Sequence, residues 1–302
     1  MKVIPNILLS TCSSLKPLVL GAAAFAAVLG IQNAQAVTVD FTTEEGYSPS
    51  AGILNGQPTD SPQWLAHDAW RVNGTSGFAF ANRGYASNNV TAKYQGALSS
   101  SEGSAVSVST KFQFAGIGNS EDVTSTKFIY TLMLATSSAA DSTSPNFVKA
   151  ILARQGETDN YQFYLVSDEN PYAGAKFFHI SAIGDHGPVD DLTDNLQMNM
   201  SMTKGASATD WDILVTLVNL ANSNTVATIS LSDYATSTDF YSSDSLYGGF
   251  YVGNSVNNGG TSELNVSEFS ASPVIPEPAS SSLIGAAVLF LAVTMMRRRL
   301  QR

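Results

Sequence analysis

The sequence predicts an all-β domain built from two packed antiparallel sheets. Short segments in which apolar and polar residues alternate recur at spacings of roughly ten residues, and clusters of Gly, Asn, Ser and Asp separate them. Very little of the chain has helical spacing. Residues 37–272 provide 236 residues, enough for one such domain to bury most of its apolar surface without cross-links. A different β-sandwich and a short β-helix are the alternatives.

Residues 1–36 have the features of a signal peptide. A basic, polar start leads into an apolar run at 17–31, and Ala34-Gln35-Ala36 follows with the small-x-small pattern of a cleavage site. We expect cleavage after Ala36 and export by the Sec machinery. A retained membrane helix is the alternative, but no basic stop follows the run.

The predicted domain, 37–272, opens with an alternating strand and continues as a series of about twelve strands. Residues 42–76 form a long irregular stretch rich in Gly and Pro, whereas 128–135 is nearly continuous apolar, as in a strand buried on both faces. His179 is expected to be a half-buried structural residue. The predicted strands are 37–41, 78–80, 105–114, 128–135, 147–153, 161–166, 177–183, 196–203, 211–217, 225–231, 248–252 and 264–270.

The exported part of the chain is strongly acidic. All 25 acidic residues lie between Asp40 and Glu277, and this span keeps only 9 of the 15 basic residues, so its formal charge is −16. This charge disfavours nucleic acid and anionic lipid as partners and favours solubility in a periplasmic or extracellular setting. The single cysteine, Cys12, leaves with the signal peptide, so we expect no disulfide.

Residues 273–302 have the features of a membrane tail. Two prolines hold a Pro-Glu-Pro tripeptide extended, and residues 279–296 would form a transmembrane helix of ~27 Å, just short of a hydrocarbon core of ~30 Å. A terminal arginine cluster then stops transfer and places the C-terminus in the cytoplasm. A plain membrane anchor is the alternative. The residues that define the tail are Pro276, Glu277, Pro278, Arg297, Arg298 and Arg299.

This order of tripeptide, spanning helix and arginine cluster resembles the PEP-CTERM sorting signal of Gram-negative bacteria. The resemblance implies that an exosortase-type transpeptidase recognises the tripeptide and removes or exchanges the helix. It further implies an inner-membrane intermediate, followed by delivery to the cell surface or the extracellular space.

The body is similar to concanavalin A-like and laminin-G-like jelly rolls. The similarity lies in Asp40-Phe41 at the opening, in residues 54–57 leading to Trp64, and in the closing strand at 263–271 directly before the tail. It implies an opening segment that crosses the sandwich and pairs near the closing strand.

No pattern in the sequence indicates catalysis. Jelly-roll glycosidases carry carboxylates at alternate positions of one strand, whereas Glu121-Asp122 and Asp168-Glu169 are adjacent pairs, which point to opposite faces of a strand or solvate a turn. The sequence has no Gly-x-Ser-x-Gly motif, and no histidine accompanies a plausible nucleophile. We therefore expect a protein that is not an enzyme.

Two groups of residues are candidate ligand sites. Exposed tryptophans stack on sugar rings, and the irregular opening carries Trp64, Trp70 and Arg71, although packing of both indoles in the core is the alternative. An acidic loop offers oxygen ligands to calcium, although a solvated loop is the alternative. Its carboxylates are Asp185, Asp190, Asp191 and Asp194. No other cofactor is expected.

Two functions fit these features. The first is a non-catalytic surface or matrix protein that serves adhesion, biofilm formation or an exopolysaccharide coat. The second is a lectin-like module that binds a specific polysaccharide, with or without calcium.

Overall fold

The structure is a computed structural model, and it describes residues 35–81, 90–100, 103–115, 127–139, 146–154, 160–183, 194–207, 209–252 and 263–274. Within these ranges the chain forms seventeen strands, one short α-helix and one 3₁₀ turn. The elements are β1 Gln35–Val39, β2 Gly52–Ile53, β3 Trp64–Ala66, β4 Trp70–Asn73, β5 Phe78–Ala81, β6 Val90–Tyr94, β7 Leu98–Ser99, β8 Ala105–Ala115, β9 Lys127–Ala135, β10 Phe147–Arg154, β11 Asn160–Ser167, β12 Ala173–His179, the 3₁₀ turn Ile180–Ala182, β13 Leu196–Lys204, β14 Asp210–Asn219, β15 Asn224–Ala235, α1 Thr238–Ser242, β16 Ser245–Val252 and β17 Glu263–Val274.

The strands form two antiparallel sheets, which confirms the predicted all-β sandwich. Sheet A has the order β15-β14-β13-β8-β17. The other edge of β17 is shared by β1 and β5, and β5 leads on to β4 and β2. Sheet B has the order β12-β11-β10-β9-β16-β6-β3. The short β7 pairs with both β16 and β17 and so connects the two sheets.

The core lies between the two sheets and follows from the alternation of the strands. In β13, Leu196, Met198 and two further methionines are fully buried, whereas the polar residues between them face outward and are half-buried. The period of two residues places successive side chains on opposite faces, so this sequence puts every second residue into the core. In sheet B, Tyr130, Leu132 and Leu134 of β9 enter the same core.

The opening segment packs against the closing strand, as the resemblance to jelly rolls implies. Val37 and Val39 of β1 pair with Ala271 and Phe269 of β17, and β5 pairs with the first residues of the same strand. The first strand begins at Gln35, two residues before the predicted start of the domain.

The predictions of individual elements were wrong at several places. Residues 42–76, predicted to be irregular, contain the short strands β2, β3 and β4, and two further short strands, β6 and β7, were not predicted. The strand predicted at 177–183 ends at His179, where the 3₁₀ turn begins. His179 is exposed, because its ring lies at this turn and its Nδ1 accepts a hydrogen bond from the Ser181 amide at 3.2 Å.

Candidate functional site

The two predicted sugar-stacking tryptophans lie in the core. Trp64 and Trp70 are fully buried, and the Trp64 Nε1 donates a hydrogen bond to the Tyr47 hydroxyl at 2.8 Å. Phe250 contacts both indoles, with ring centroids 5.4 Å from Trp64 and 4.8 Å from Trp70. Core packing is therefore the alternative that the structure supports, and neither ring face is available to a ligand.

Arg71 does not join a site with these tryptophans. It follows Trp70 on β4, so its side chain points to the opposite face of sheet A, where it is half-buried. Its cross-strand neighbour on that face is Phe80. The three residues predicted to form one ligand site thus contribute to two different faces.

The structure describes one of the four predicted calcium ligands. Asp194 Oδ2 accepts a hydrogen bond from the Asn219 side-chain amide at 2.6 Å, and the same amide nitrogen donates to the Ala182 carbonyl at 3.0 Å. Asp185, Asp190 and Asp191 lie outside the described residues. Among the described residues, no group of three or more His, Cys, Asp or Glu side chains is placed to hold a metal ion.

The predicted processing sites lie mostly outside the described ranges. Ala34 and the whole tail after Val274 are outside them, while Ala36 is exposed in β1. In the described part of the chain, no helix has both the length and the apolar character needed to cross a bilayer. The tail residues that fall outside are Pro276, Glu277, Pro278, Arg297, Arg298 and Arg299.

The outer face of sheet B carries a group of buried polar and aromatic side chains. Five adjacent strands, β6, β16, β9, β10 and β11, contribute to it. Its residues are between 0% and 7% exposed, although they point away from the core that separates the sheets. We call this group the B-face, and it consists of Thr91, Lys93, Thr131, Met133, Lys149, Ile151, Gln162, Tyr164 and Tyr251.

The strand register places three hydroxyl groups side by side on the B-face. Tyr251 of β16 pairs with Thr91 on one side and with Thr131 on the other. Both threonine side chains are fully buried, and neither Oγ1 has a hydrogen-bond partner of normal geometry. Burial raises the pKa of Tyr251, and the nearby Thr131 hydroxyl partly offsets this rise. The two hydroxyls therefore retain unused hydrogen-bonding capacity next to a phenol that stays protonated.

The neighbouring row of the B-face contains two lysines. Across the strands it runs from Lys93 through Gly249 and Met133 to Lys149. The Lys149 Nζ lies 3.7 Å from the centre of the Phe147 ring and 5.4 Å from that of Tyr251. The Lys93 Nζ donates a hydrogen bond to the Ser137 carbonyl at 3.0 Å. Burial, followed by the charge of Lys93, lowers the pKa of Lys149 to about 8.

Aromatic side chains continue the B-face toward the edge strand β12. Tyr164 and Tyr172 pack with their ring centroids 4.8 Å apart, and the Gln162 side chain donates to the Tyr172 hydroxyl. Burial raises the pKa of Tyr164, so its hydroxyl remains a donor. Tyr172 is 50% exposed and Phe177, opposite Gln162, is 60% exposed. This edge is the open side of an otherwise enclosed face.

Sequence reasoning did not find the B-face. Lys93 and Thr91 lie on β6, and the pairing of β6 with β16 is not visible in the sequence. The sequence did contain one indication of a buried outer face. The apolar run at 128–135 predicted a strand buried on both faces, and β9 is such a strand. A lysine within the apolar strand β10 was a second signal.

The outer face of sheet A contains a shallow groove of about 330 Å³. Small hydroxyl side chains line it, together with Asn199 and Leu214. Their polar atoms bond to one another: the Asn199 amide donates to Thr216 Oγ1 at 3.1 Å, and the Thr38 and Ser270 hydroxyls are 3.1 Å apart.

Comparisons with known proteins concern the fold. No family model matches the chain, and no curated protein matches it. Among solved structures it is similar to lectin II from Ulex europaeus, with 11% identity and a TM-score of 0.49 over 78% of this chain and 97% of that one. It is also similar to lectin I-B4 from Griffonia simplicifolia in its metal-free form, with 10% identity and a TM-score of 0.49 over 79% and 98% of the two chains.

A third similar structure is a Bacteroides ovatus GH43B protein of a xyloglucan locus. It has 13% identity and a TM-score of 0.45, over 80% of this chain and 40% of that one. At these identities, the similarity does not indicate which residues of this chain bind a ligand.

Proposed function

We propose that this chain is a non-catalytic carbohydrate-binding protein and that the B-face is its binding site. The observation that carries the proposal is the pair of buried threonines, Thr91 and Thr131, which flank Tyr251 and whose Oγ1 atoms make no hydrogen bond of normal geometry. A buried hydroxyl left unsatisfied costs about 1–3 kcal/mol, and a ligand hydroxyl would offset this cost. The aromatic rings at the open edge, Tyr172 and Phe177, are suited to stack on a sugar ring.

Binding without hydrolysis is the function that this chemistry favours. Glycoside hydrolysis uses a pair of carboxyl groups on either side of the scissile bond. None of the strand positions described on the outer face of sheet B is Asp or Glu. A saccharide bound there would meet ammonium, phenol, amide and threonine groups.

A glycan array tests this proposal. The full-length chain is applied with calcium and with a chelator, because the acidic loop is a candidate calcium site. We expect binding to a restricted set of glycans, and Thr131→Val should weaken that binding about tenfold through loss of one hydrogen bond. The same substitution should leave the melting temperature unchanged or raised, since it replaces an unsatisfied buried hydroxyl with a methyl group.

Ser109→Ala on the outer face of sheet A is the control, because it also removes one outward hydroxyl from a strand, at a half-buried position of the other sheet. It should leave glycan binding unchanged. An array without any signal, or a Thr131→Val variant that binds like the parent, would contradict the proposed site.

We further propose that the chain is an exosortase substrate displayed at the surface of a Gram-negative bacterium. This proposal rests on the order of Pro276-Glu277-Pro278, an apolar stretch and Arg297-Arg298-Arg299 in the sequence. Replacing the tripeptide with three alanines should leave export intact but retain the full-length protein in the inner membrane, because the helix still inserts. Fractionation with a C-terminal epitope measures this, and normal loss of the epitope in the variant would refute the sorting role.

A further inference from the structure

The groove on the outer face of sheet A is lined by two rows of side chains that cross the strands. The strand register sets the members of each row side by side on β1, β17, β8, β13 and β14. All but one of them are Ser, Thr or Asn, so another surface can approach the sheet closely. We call this surface the A-groove, and its residues are Thr38, Ser270, Ser109, Asn199 and Thr216 in one row and Ser272, Ser107, Ser201 and Leu214 in the other.

The A-groove is a neutral area on an acidic protein. Residues 40–277 carry a formal charge of −16, whereas no described residue that lines the groove is charged. The charges described at its border are the ion pair of Lys111 with Glu268, which adds no net charge, and the carboxylates of Asp40 and Asp212. Charges more than about 8 Å apart are largely screened at physiological salt. A second acidic molecule can therefore approach this area without local repulsion.

Covering the A-groove would cost little hydration. The Thr38 and Ser270 hydroxyls lie 3.1 Å apart, and the Asn199 amide donates to Thr216 Oγ1 at 3.1 Å. Polar groups that already have partners on the sheet lose less when water is removed than groups that depend on water. Leu214 is 47% exposed at one side of the groove, and its burial would be favourable.

The size and lining of this surface suit a protein partner. Five strands ~4.8 Å apart, with three outward positions ~6.7 Å apart on each, cover ~480 Å². Two such surfaces would bury roughly 1,000 Å², which is the lower limit for a specific protein–protein interface. The described lining holds no aromatic ring on which a sugar could stack and no charge that could bind an ion.

We propose that the A-groove binds a second copy of this chain, so that two copies pack their A sheets face to face in a weak symmetric dimer. Sheets that pack in this way lie ~10 Å apart, a distance that small outward side chains permit. From its area we expect a Kd on the order of 100 µM. At the low micromolar concentrations used to measure unfolding, the chain is then monomeric.

A two-fold axis parallel to the strands, between β17 and β8, makes the contact self-complementary. It places Leu214 of each copy over the β1 side of the other copy's A-groove. It also brings Lys111 of each copy opposite Glu268 of the other, because these residues are cross-strand neighbours on β8 and β17. The two Asp212 carboxylates lie about five strand spacings apart, or ~24 Å, which is beyond the screening length.

This dimer would link two binding sites. The A-groove and the B-face lie on the outer faces of different sheets, so the two B-faces point away from each other. With the saccharide site proposed above, one dimer could hold two polysaccharide chains. The dimer itself does not depend on that proposal, because its surface shares no residue with the B-face.

Sedimentation of the full-length chain in detergent, from about 5 µM to about 1 mM, tests the dimer. Ser109→Asp should raise the Kd at least about thirtyfold, because Ser109 lies next to the two-fold axis and the two new carboxylates would repel each other. Leu214→Ala should raise the Kd about fivefold to tenfold through lost apolar contact, and it keeps the test valid if Ser109→Asp does not fold.

Ile53→Ala is the matched control. Ile53 lies on β2, outside the A-groove, and at 42% its exposure is close to that of Leu214. Its truncation should leave the Kd unchanged.

Cross-linking locates the contact independently. Cys12 is the only cysteine, so Cys12→Ser gives a background without thiols. In this background, a short bis-maleimide should join two copies of Ser109→Cys but not two copies of Ile53→Cys.

Dimerisation that is weakened by Ser109→Asp and Leu214→Ala but kept in Ile53→Ala would support the proposal. Equal association of all variants would locate the contact elsewhere, for example in the predicted membrane tail, and would overturn it. A chain that stays monomeric up to about 1 mM, or one that cross-links as well through Ile53→Cys as through Ser109→Cys, would overturn it too. Because sedimentation needs no glycan, a negative glycan array would refute the carbohydrate site and leave the dimer standing.

Discussion

The two sheets are built from the same kind of antiparallel strand but present different outer faces. On sheet A, outward positions are mostly Ser, Thr and Asn, half-buried and hydrogen-bonded to each other, as between Asn199 and Thr216. On sheet B, the outward positions in the middle strands are buried and include Met133 and Ile151 beside two lysines. Sheet A follows the usual pattern of apolar residues inside and polar residues outside. The departure from this pattern on sheet B is the feature on which the proposed binding site rests.

The largest expected effect is on the free energy of unfolding, and it appears when one large apolar side chain on each outer face is truncated to alanine. Ile151→Ala on sheet B should lower the free energy of unfolding by about 2–4 kcal/mol, because this side chain is 3% exposed and packs with Ala153 and Tyr164. Leu214→Ala on sheet A should cost no more than about 0.5 kcal/mol, since Leu214 is 47% exposed. Urea unfolding of the two variants measures the difference.

Equal losses would break this comparison. If Ile151→Ala destabilised the protein as little as Leu214→Ala, the outer face of sheet B would be no better packed than that of sheet A. The B-face would then lack the enclosed surroundings on which the binding proposal depends. The denaturant m-value serves as the control. If it is unchanged in both variants, the unfolded state is the same and the two losses can be compared.

The sequence predicted sheet A better than sheet B for a physical reason. In β13 and β14 one face is buried and the other is solvated, so the alternation is clear and both strands were predicted within one or two residues of their ends. In β9 and β10 both faces are buried, and the composition cannot tell which side faces the core. Strands of two to five residues, such as β3 and β6, exist only because longer strands pair with them.

The candidate site was missed for the same reason. Lys93 and Thr91 lie on β6, far in sequence from Thr131 and Lys149, and only the register of β6, β16, β9 and β10 brings the four residues together. The tryptophans that the sequence offered as candidate ligand contacts are large apolar side chains at inward positions. Burial of such a side chain stabilises the fold by several kcal/mol, which outweighs a role in stacking.

The smaller expected effect is on the pH dependence of stability, and it is tested by comparing one lysine from each face. Lys149 has a folded-state pKa of about 8, below the 10.5 of an ordinary lysine, so between these values the unfolded chain binds more protons and stability should rise with pH. Lys149→Met should abolish this rise, which amounts to ~1–3 kcal/mol.

On sheet A, Lys111 forms an ion pair with Glu268 at 2.5 Å, and its side chain is 38% exposed. Lys111→Met should therefore keep the rise and cost less than ~1 kcal/mol. Thermal unfolding from about pH 7 to about pH 10 measures both variants. A rise that persists in Lys149→Met, or that disappears in Lys111→Met, would show that the B-face does not hold the destabilised ammonium.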